Sequence, residues 1–178
     1  MKKIKTLIPS LGFSAFLLCL NLNMIAQSPG KYVAGQQGPS GGTGGSYCDT
    51  YTQYSAYKLT SFTIRSGAFI DGISLTYDGG KAEPVAVICG GQGGSPRTIK
   101  LRPGEYVIRV MGKYNRFVEY LYIQTAGVAT PQYVEFGNKD TGAQGYFDYQ
   151  AVQGTKIGNF IVKGGQYVDA IGVVIQKQ

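Results

Sequence analysis

A short pattern recurs along this chain and restricts its folding more than any other feature. Ile64-Arg65-Ser66-Gly67-Ala68-Phe69-Ile70-Asp71-Gly72-Ile73 is matched by Val162-Lys163-Gly164-Gly165-Gln166-Tyr167-Val168-Asp169-Ala170-Ile171. Both read glycine, three residues, aspartate, one residue, isoleucine. A degraded third copy over 110–118, counted from Gly112, puts Arg116 where the other two carry aspartate. Counted from Gly67 to Gly112 to Gly165, the copies lie 45 and 53 residues apart. Three similar strand–turn–strand units at that spacing imply a threefold-symmetric body.

The residues around these units alternate apolar and polar in short runs. Residues 59–65, 70–77, 85–88, 98–101, 106–110, 118–123, 132–136, 156–162 and 170–175 read as strands, rich in Val, Ile, Tyr and Thr. Asp78-Gly79-Gly80, Arg102-Pro103-Gly104 and Asn138-Lys139-Asp140 punctuate them as turns. No stretch keeps a helical period over a dozen residues. The expectation is an all-β antiparallel sandwich, barrel or prism.

The start of the chain reads differently. Lys2, Lys3 and Lys5 precede an apolar run around 13–20, and Ala26 offers a small residue for cleavage, so residues 1–26 read as a secretory signal. Asn21 and Asn23 interrupt that run well short of the roughly 20 apolar residues a membrane span needs. No later apolar segment is long enough to span a bilayer, so no transmembrane anchor is expected after cleavage. Residues 27–37 read as a flexible lead-in and 38–178 as one domain of ordinary size. Losing the three lysines takes the formal charge from +7 to +4, too mild a balance to argue for nucleic acid. Cys48 and Cys89 remain as a candidate disulfide, the alternative being two buried thiols that act as small apolar side chains.

Two glycine clusters, 38–45 and 90–94, fall in this single domain and suggest loops where backbone approaches something closely. The unit Gly165-Gln166-Tyr167-Val168-Asp169 can form a small cup. Its turn directs backbone N–H groups outward, and Asp169 supplies a strong charged acceptor. Adjacent sugar hydroxyls need both, because each donates one hydrogen bond and accepts another. The plainer reading is an aspartate that caps a hairpin turn.

Several motifs in chain order resemble the jacalin-related lectins. Gly165 to Gly172, with Tyr167, Asp169, Ala170 and Ile171, is similar to that family's terminal motif. Gly38-Pro39-x-Gly41-Gly42-x-Gly44-Gly45 is similar to its N-terminal glycine loop. The run from Leu101 through Pro103-Gly104-Glu105 to Gly112-Lys113-Tyr114 resembles the zymogen-granule branch, as does Phe136-Gly137-x-Lys139-Asp140-x-Gly142. Ser40, where the family often has an aromatic residue, and Tyr47-Cys48-Asp49-Thr50, where it is Asp-rich, depart from the pattern.

The resemblance covers about 38–176 and implies a β-prism of three four-stranded antiparallel sheets with pseudo-threefold symmetry. It implies a carbohydrate site at Gly41, Gly42, Gly165, Gln166, Tyr167 and Asp169, with mannose- or glucose-type preference because the loop is uncleaved. The repeat extends this to a second carbohydrate site at Gly67, Ala68, Phe69 and Asp71, faced by Gly90 and Gly91. The zymogen-granule branch is associated with sulfated glycans. By that analogy Lys113, Arg116 and Lys163 are candidate contacts for anionic glycans, or else simply solvated cations.

The chain has no histidine, so nucleophile–histidine pairs and histidine-ligated metals are excluded. No acid–base pair of carboxylates stands out. The expected function is non-catalytic sugar binding by a secreted lectin, without cofactor or metal. Glycans or glycoconjugates are its partners, and homo-oligomerisation is left open. The alternative is a binder of anionic glycans.

Overall fold

The computed structural model describes residues 33–48, 57–79 and 85–178, so the expected signal at 1–26 lies outside the described residues. These form twelve strands: β1 (Val33–Gly41), β2 (Ser46–Cys48), β3 (Lys58–Ser66), β4 (Ile70–Asp78), β5 (Val85–Gly90) and β6 (Ser95–Lys100), followed by β7 (Tyr106–Tyr114), β8 (Val118–Ala126), β9 (Tyr133–Gly137), β10 (Gly145–Gln150), β11 (Thr155–Gly164) and β12 (Val168–Lys177). All pairings are antiparallel, in three sets of four: β1-β12-β11-β2, β5-β4-β3-β6 and β10-β7-β8-β9. The first and last sets touch through one pair, Ile157↔Val107, which makes them one continuous sheet of eight. This is the expected β-prism, with two of its three faces fused at a corner.

The threefold repeat is visible in the irregularities as well as the strands. Each central hairpin carries a bulge near its start, at Leu59/Ser61, Val107/Arg109 and Ile157/Asn159. Each carries a second register shift at its tip, at Arg65/Ser66, Lys113/Tyr114 and Lys163/Gly164. One extra residue in a strand bends it and increases its twist, which lets each flat hairpin curl into a prism face.

Alternation decides which side chains face the axis. Phe62, Ile64, Val110, Ile123, Phe160 and Val162 are all buried, and they come from the inner faces of all three sheets. Tyr77 is fully buried and donates its hydroxyl to Asn159 across the core, so the polar tip of this large side chain is satisfied. β12 is buried along nearly its whole length, which matches its unbroken apolar run.

Three strands lie outside the runs expected from alternation. β1 corrects the flexible lead-in over 33–37, while 27–32 lie outside the described residues: from Val33 the chain pairs with β12, with Val33 opposite Gln176 and, past a bulge, Gln37 opposite Val173. Its Gly and Gln residues carry no apolar pattern because the pairing is a backbone affair. β2 is three residues long and follows a glycine cluster. β10 buries Phe147 and Tyr149 on one side, their rings stacked at 4.9 Å, while Asp148 on the other side holds Arg109 through bonds of 2.8 and 2.6 Å.

Candidate carbohydrate site

The three hairpin tips gather at one end of the prism. In each tip the first residue's N–H donates to the third residue's carbonyl: Gly67 to Phe69 (3.0 Å), Asn115 to Phe117 (3.1 Å) and Gly165 to Tyr167 (3.0 Å). The third residues meet one another, with ring centroids 5.6 Å (Phe69–Phe117), 5.2 Å (Phe69–Tyr167) and 4.9 Å (Phe117–Tyr167) apart. The Tyr167 ring therefore joins this axial cluster, and what the residue offers a ligand is its backbone. Among the described residues, no acceptor takes the N–H of Gln166 or Tyr167, nor that of Ala68 or Phe69.

Two residues beyond each aromatic comes a carboxylate: Asp71, Glu119 and Asp169. Each is crossed by a loop from another part of the chain, held the same way three times. Gly42 N–H donates to the Asp169 carbonyl at 2.7 Å, Gly91 N–H to that of Asp71 at 2.7 Å, and Asn138 N–H to that of Glu119 at 2.8 Å. The third vertex is thus centred on Glu119, which corrects the placement of Arg116 in the acidic position. Arg116 corresponds to Ala68 and Gln166 at the hairpin tip. Gly112 is instead a strand residue, and a Cβ there would fall 2.3 Å from Phe147 Cζ.

The two aspartate vertices are near copies at the atomic level. A Cβ on Gly44 would fall 2.3 Å from Asp169 Oδ1, and one on Gly93 would fall 2.4 Å from Asp71 Oδ1. Gly45 (φ +67°) and Gly94 (φ +60°) lie equally close to the second oxygens, in a conformation that favours glycine. The glycines are there so that backbone can close over a carboxylate. Among the described residues, no chain donor bonds either aspartate side chain, and no buried side-chain oxygen lacks a partner. The carboxylate oxygens are therefore open to solvent, although Asp169 and Asp71 as residues are only 4% and 8% exposed. Each vertex presents a narrow cup with charged acceptors at its base and N–H donors on its rim.

The vertices also interlock. A Cβ on Gly42 would strike the Arg116 carbonyl, and one on Gly91 would lie 2.2 Å from the Gln166 carbonyl. The loop of each aspartate cup thus rests on the hairpin tip of the next vertex. Gln166 serves one cup with its N–H and supports the other with its carbonyl.

The Glu119 vertex is closed by its own chain. Thr141, at the position of Gly45 and Gly94, donates to Glu119 Oε2, and Asn115 Nδ2 donates to Oε1 at 3.1 Å. Asp140 stands where the other loops have Gly44 and Gly93. Two side-chain donors here occupy the acceptors that remain open in the other cups.

The candidate anion-binding residues do not form one patch. Lys163 Nζ donates to the Thr43 carbonyl (3.3 Å), and Lys113 Nζ to the Lys139 carbonyl (2.7 Å). Arg65, the residue of the first unit that corresponds to Lys163, donates Nε to the carbonyls of Gln92 (3.0 Å) and Gly93 (2.8 Å). Each of these three cations ties down the middle of its own loop. Arg65 was not among the expected site residues, yet it stands two residues before its tip, as Lys113 and Lys163 do. Arg116 alone is exposed, lying over the Phe117 ring at 5.2 Å beside a polar cleft that also contains Asn115, Gly142 and Gln144.

Cys48 and Cys89 are neighbours but unbonded. Their thiols hydrogen-bond. That contact, with a further bond from the Gly90 N–H, lowers the Cys48 pKa to about 7. The same contact, reinforced by burial, pushes the Cys89 thiol upward. Among the described residues, no three His, Cys, Asp or Glu side chains are grouped to hold a metal.

The profile of the jacalin-like lectin domain matches residues 37–174. Horcolin from Hordeum vulgare subsp. vulgare is 34% identical over 145 residues, 78% of this chain and 94% of horcolin. Wild-type Malaysian banana lectin superposes with a TM-score of 0.67 at 27% identity, over 80% of this chain and 98% of the lectin. A structure described as a mannose-binding jacalin-related lectin from Ananas comosus gives a TM-score of 0.67 at 26% identity, over 81% and 98%.

Proposed function

The chain belongs to the jacalin-like lectin domain family of non-catalytic carbohydrate-binding proteins, and from that premise we propose that it is a secreted lectin for mannose- and glucose-type sugars, with working cups at Asp169 and Asp71. The observation that carries this reading is the pair of open carboxylates beneath glycine loops, each beside unpartnered backbone N–H groups. A hexose can give two neighbouring hydroxyl protons to the carboxylate and accept from the rim. Hydrogen bonds to a charged acceptor are the stronger kind, worth about 1.5–3 kcal/mol each. Similarity to the Ananas comosus lectin, described as mannose binding, supports the sugar class. The basic and apolar layout of residues 1–26 supports secretion, to the extracellular space or, in a bacterium, to the periplasm or cell surface.

Asp169 is the stronger cup, because the family's terminal motif is complete there. The Glu119 vertex takes no neutral sugar, because Thr141 and Asn115 already occupy its acceptors. Two weak sites on one rigid body would hold branched or repeated glycans by avidity. Calorimetry with methyl α-mannoside tests this on the wild type, Asp169→Asn and Asp71→Asn. Each substitution is expected to remove one class of site, the tighter with Asp169→Asn. Wild-type affinity and stoichiometry in both folded variants would reject the assignment.

A second reading rests on Arg116, the exposed cation whose hairpin supports the Asp169 loop. A sulfate or carboxylate on a neighbouring sugar residue could pair with it. Binding of a sulfated saccharide would then weaken with salt far more than mannoside binding.

A further inference from the structure

Cys48 and Cys89 belong to neither sugar cup, yet they lie where the two cups meet. Cys48 ends β2, an edge strand of the Asp169 sheet, three residues beyond Gly45. Cys89 lies in β5, an edge strand of the Asp71 sheet, and is followed at once by Gly90 and Gly91. The seam is tight, since a Cβ on Gly164 would lie 3.2 Å from both Cα and N of Gly90. Across it the two thiols shift each other's titration in opposite senses, and the Gly90 N–H adds to the stabilisation of the Cys48 thiolate.

We propose that Cys48 and Cys89 are a thiol–disulfide site that reacts with low-molecular-weight disulfides and, once bridged, fastens the loops 41–45 and 90–94 into one covalent frame. Bridging brings the two sulfurs to a bond of about 2.05 Å. The environments of the two thiols assign their roles. Cys48 is partly exposed and its thiolate is stabilised by two hydrogen bonds, so it is the attacking group. Cys89 is 2% exposed and holds its proton, so it follows.

The Cys48 thiolate attacks one sulfur of the external disulfide, whose S–S bond breaks. One thiolate leaves and takes a proton from water. Cys89 then releases its proton to solvent and attacks the Cys48 sulfur, expelling the second thiolate, which is protonated in turn. Two protein thiols and one external disulfide become one protein disulfide and two small thiols. The bridge encloses residues 49–88 and restricts the unfolded chain, which stabilises the fold.

The test uses the full chain, reduced and then equilibrated with oxidised glutathione near neutral pH, quenched in acid and alkylated in denaturant for mass spectrometry. Cys48 and Cys89 should escape alkylation, the chain should lose two hydrogens, and a cross-linked peptide should contain both residues. The bridged protein should melt higher than the reduced protein by roughly 5–10 °C. Cys89→Ser, shown to be folded by its melting curve, should trap a glutathione adduct at Cys48. Folded Cys48→Ser should leave Cys89 unmodified over the same time. Full alkylation of both thiols in the wild type would overturn the proposal, as would a Cys89 that reacts as fast as Cys48. No readout here involves a sugar, so the result stands apart from the binding assignment.

Discussion

Gly44→Ala should weaken binding at the tighter cup by roughly 10- to 150-fold while leaving the fold intact. Gly44 lies outside the left-handed region, so alanine meets no backbone penalty there and the methyl group is the whole perturbation. That methyl would arrive 2.3 Å from Asp169 Oδ1. An ordinary carbon–oxygen contact is about 1 Å longer, so the oxygen must withdraw by about that distance. A hydrogen bond of about 2.8 Å stretched by about 1 Å is no longer a bond. Losing one charged bond removes about 1.5–3 kcal/mol, or roughly 10- to 150-fold in Kd. The protein should tolerate the change, because the obstructing atom is the free end of a side chain open to solvent.

Calorimetry with methyl α-mannoside and a thermal melt are the assays, with two controls. Gly35→Ala, whose methyl would meet nothing within 4 Å, should behave as wild type. Gly93→Ala, whose methyl would sit 2.4 Å from Asp71 Oδ1, should remove only the weaker site. A folded Gly44→Ala protein with wild-type affinity at the tighter site would refute the claim that Asp169 Oδ1 receives the sugar.

Two further outcomes are expected. Lys163→Met should weaken the Asp169 cup by about 3- to 10-fold, the worth of one hydrogen bond to Thr43, and spare the Asp71 cup. Neutral and sulfated saccharides should lose affinity equally, and a selective loss of the sulfated one would restore Lys163 as an anion contact. Glu105 is buried and its pKa is held at about 2, chiefly by its ion pair with Arg102 and then by hydrogen bonds from Thr125 and Gln132. Its folded pKa lies below the unfolded one, so its contribution is complete above about pH 4.5 and is lost as pH falls towards 2. Acid melts should show about 2–3 kcal/mol disappearing over that window in wild type and not in Glu105→Gln.

Which parts of this molecule could be read in its sequence depended on whether side chains or backbone did the specifying. Asp71 and Asp169 were legible because the cup needs both a glycine tip and an acid at fixed spacing. The third vertex was miscounted from Gly112, a glycine kept for the ring of Phe147 rather than for a turn. A better signal stood two residues away from each acid. Phe69-Ile70-Asp71, Phe117-Val118-Glu119 and Tyr167-Val168-Asp169 align by the aromatic that must reach the axis. The same alignment brings Arg65, Lys113 and Lys163 into one column and explains them as loop anchors. β1 was not legible, since a strand that binds through N–H and C=O alone leaves no trace in the side-chain pattern.

The pairing of β1 with β12 also places a demand on synthesis. Gly41 finds its partner Ala170 more than a hundred residues later in the chain. At translation speeds of ~5–20 residues per second, the first strand waits roughly 6–30 s before its neighbour is made. Until then its backbone groups are an unpaired edge, open to another chain's strand. The Asp169 cup, whose loop and hairpin come from opposite ends of the domain, is therefore the last part of the molecule to exist. The Asp71 cup gains little by coming earlier in the chain, since its Gly91 rests on the Gln166 carbonyl and its Phe69 on the Tyr167 ring of that same late hairpin.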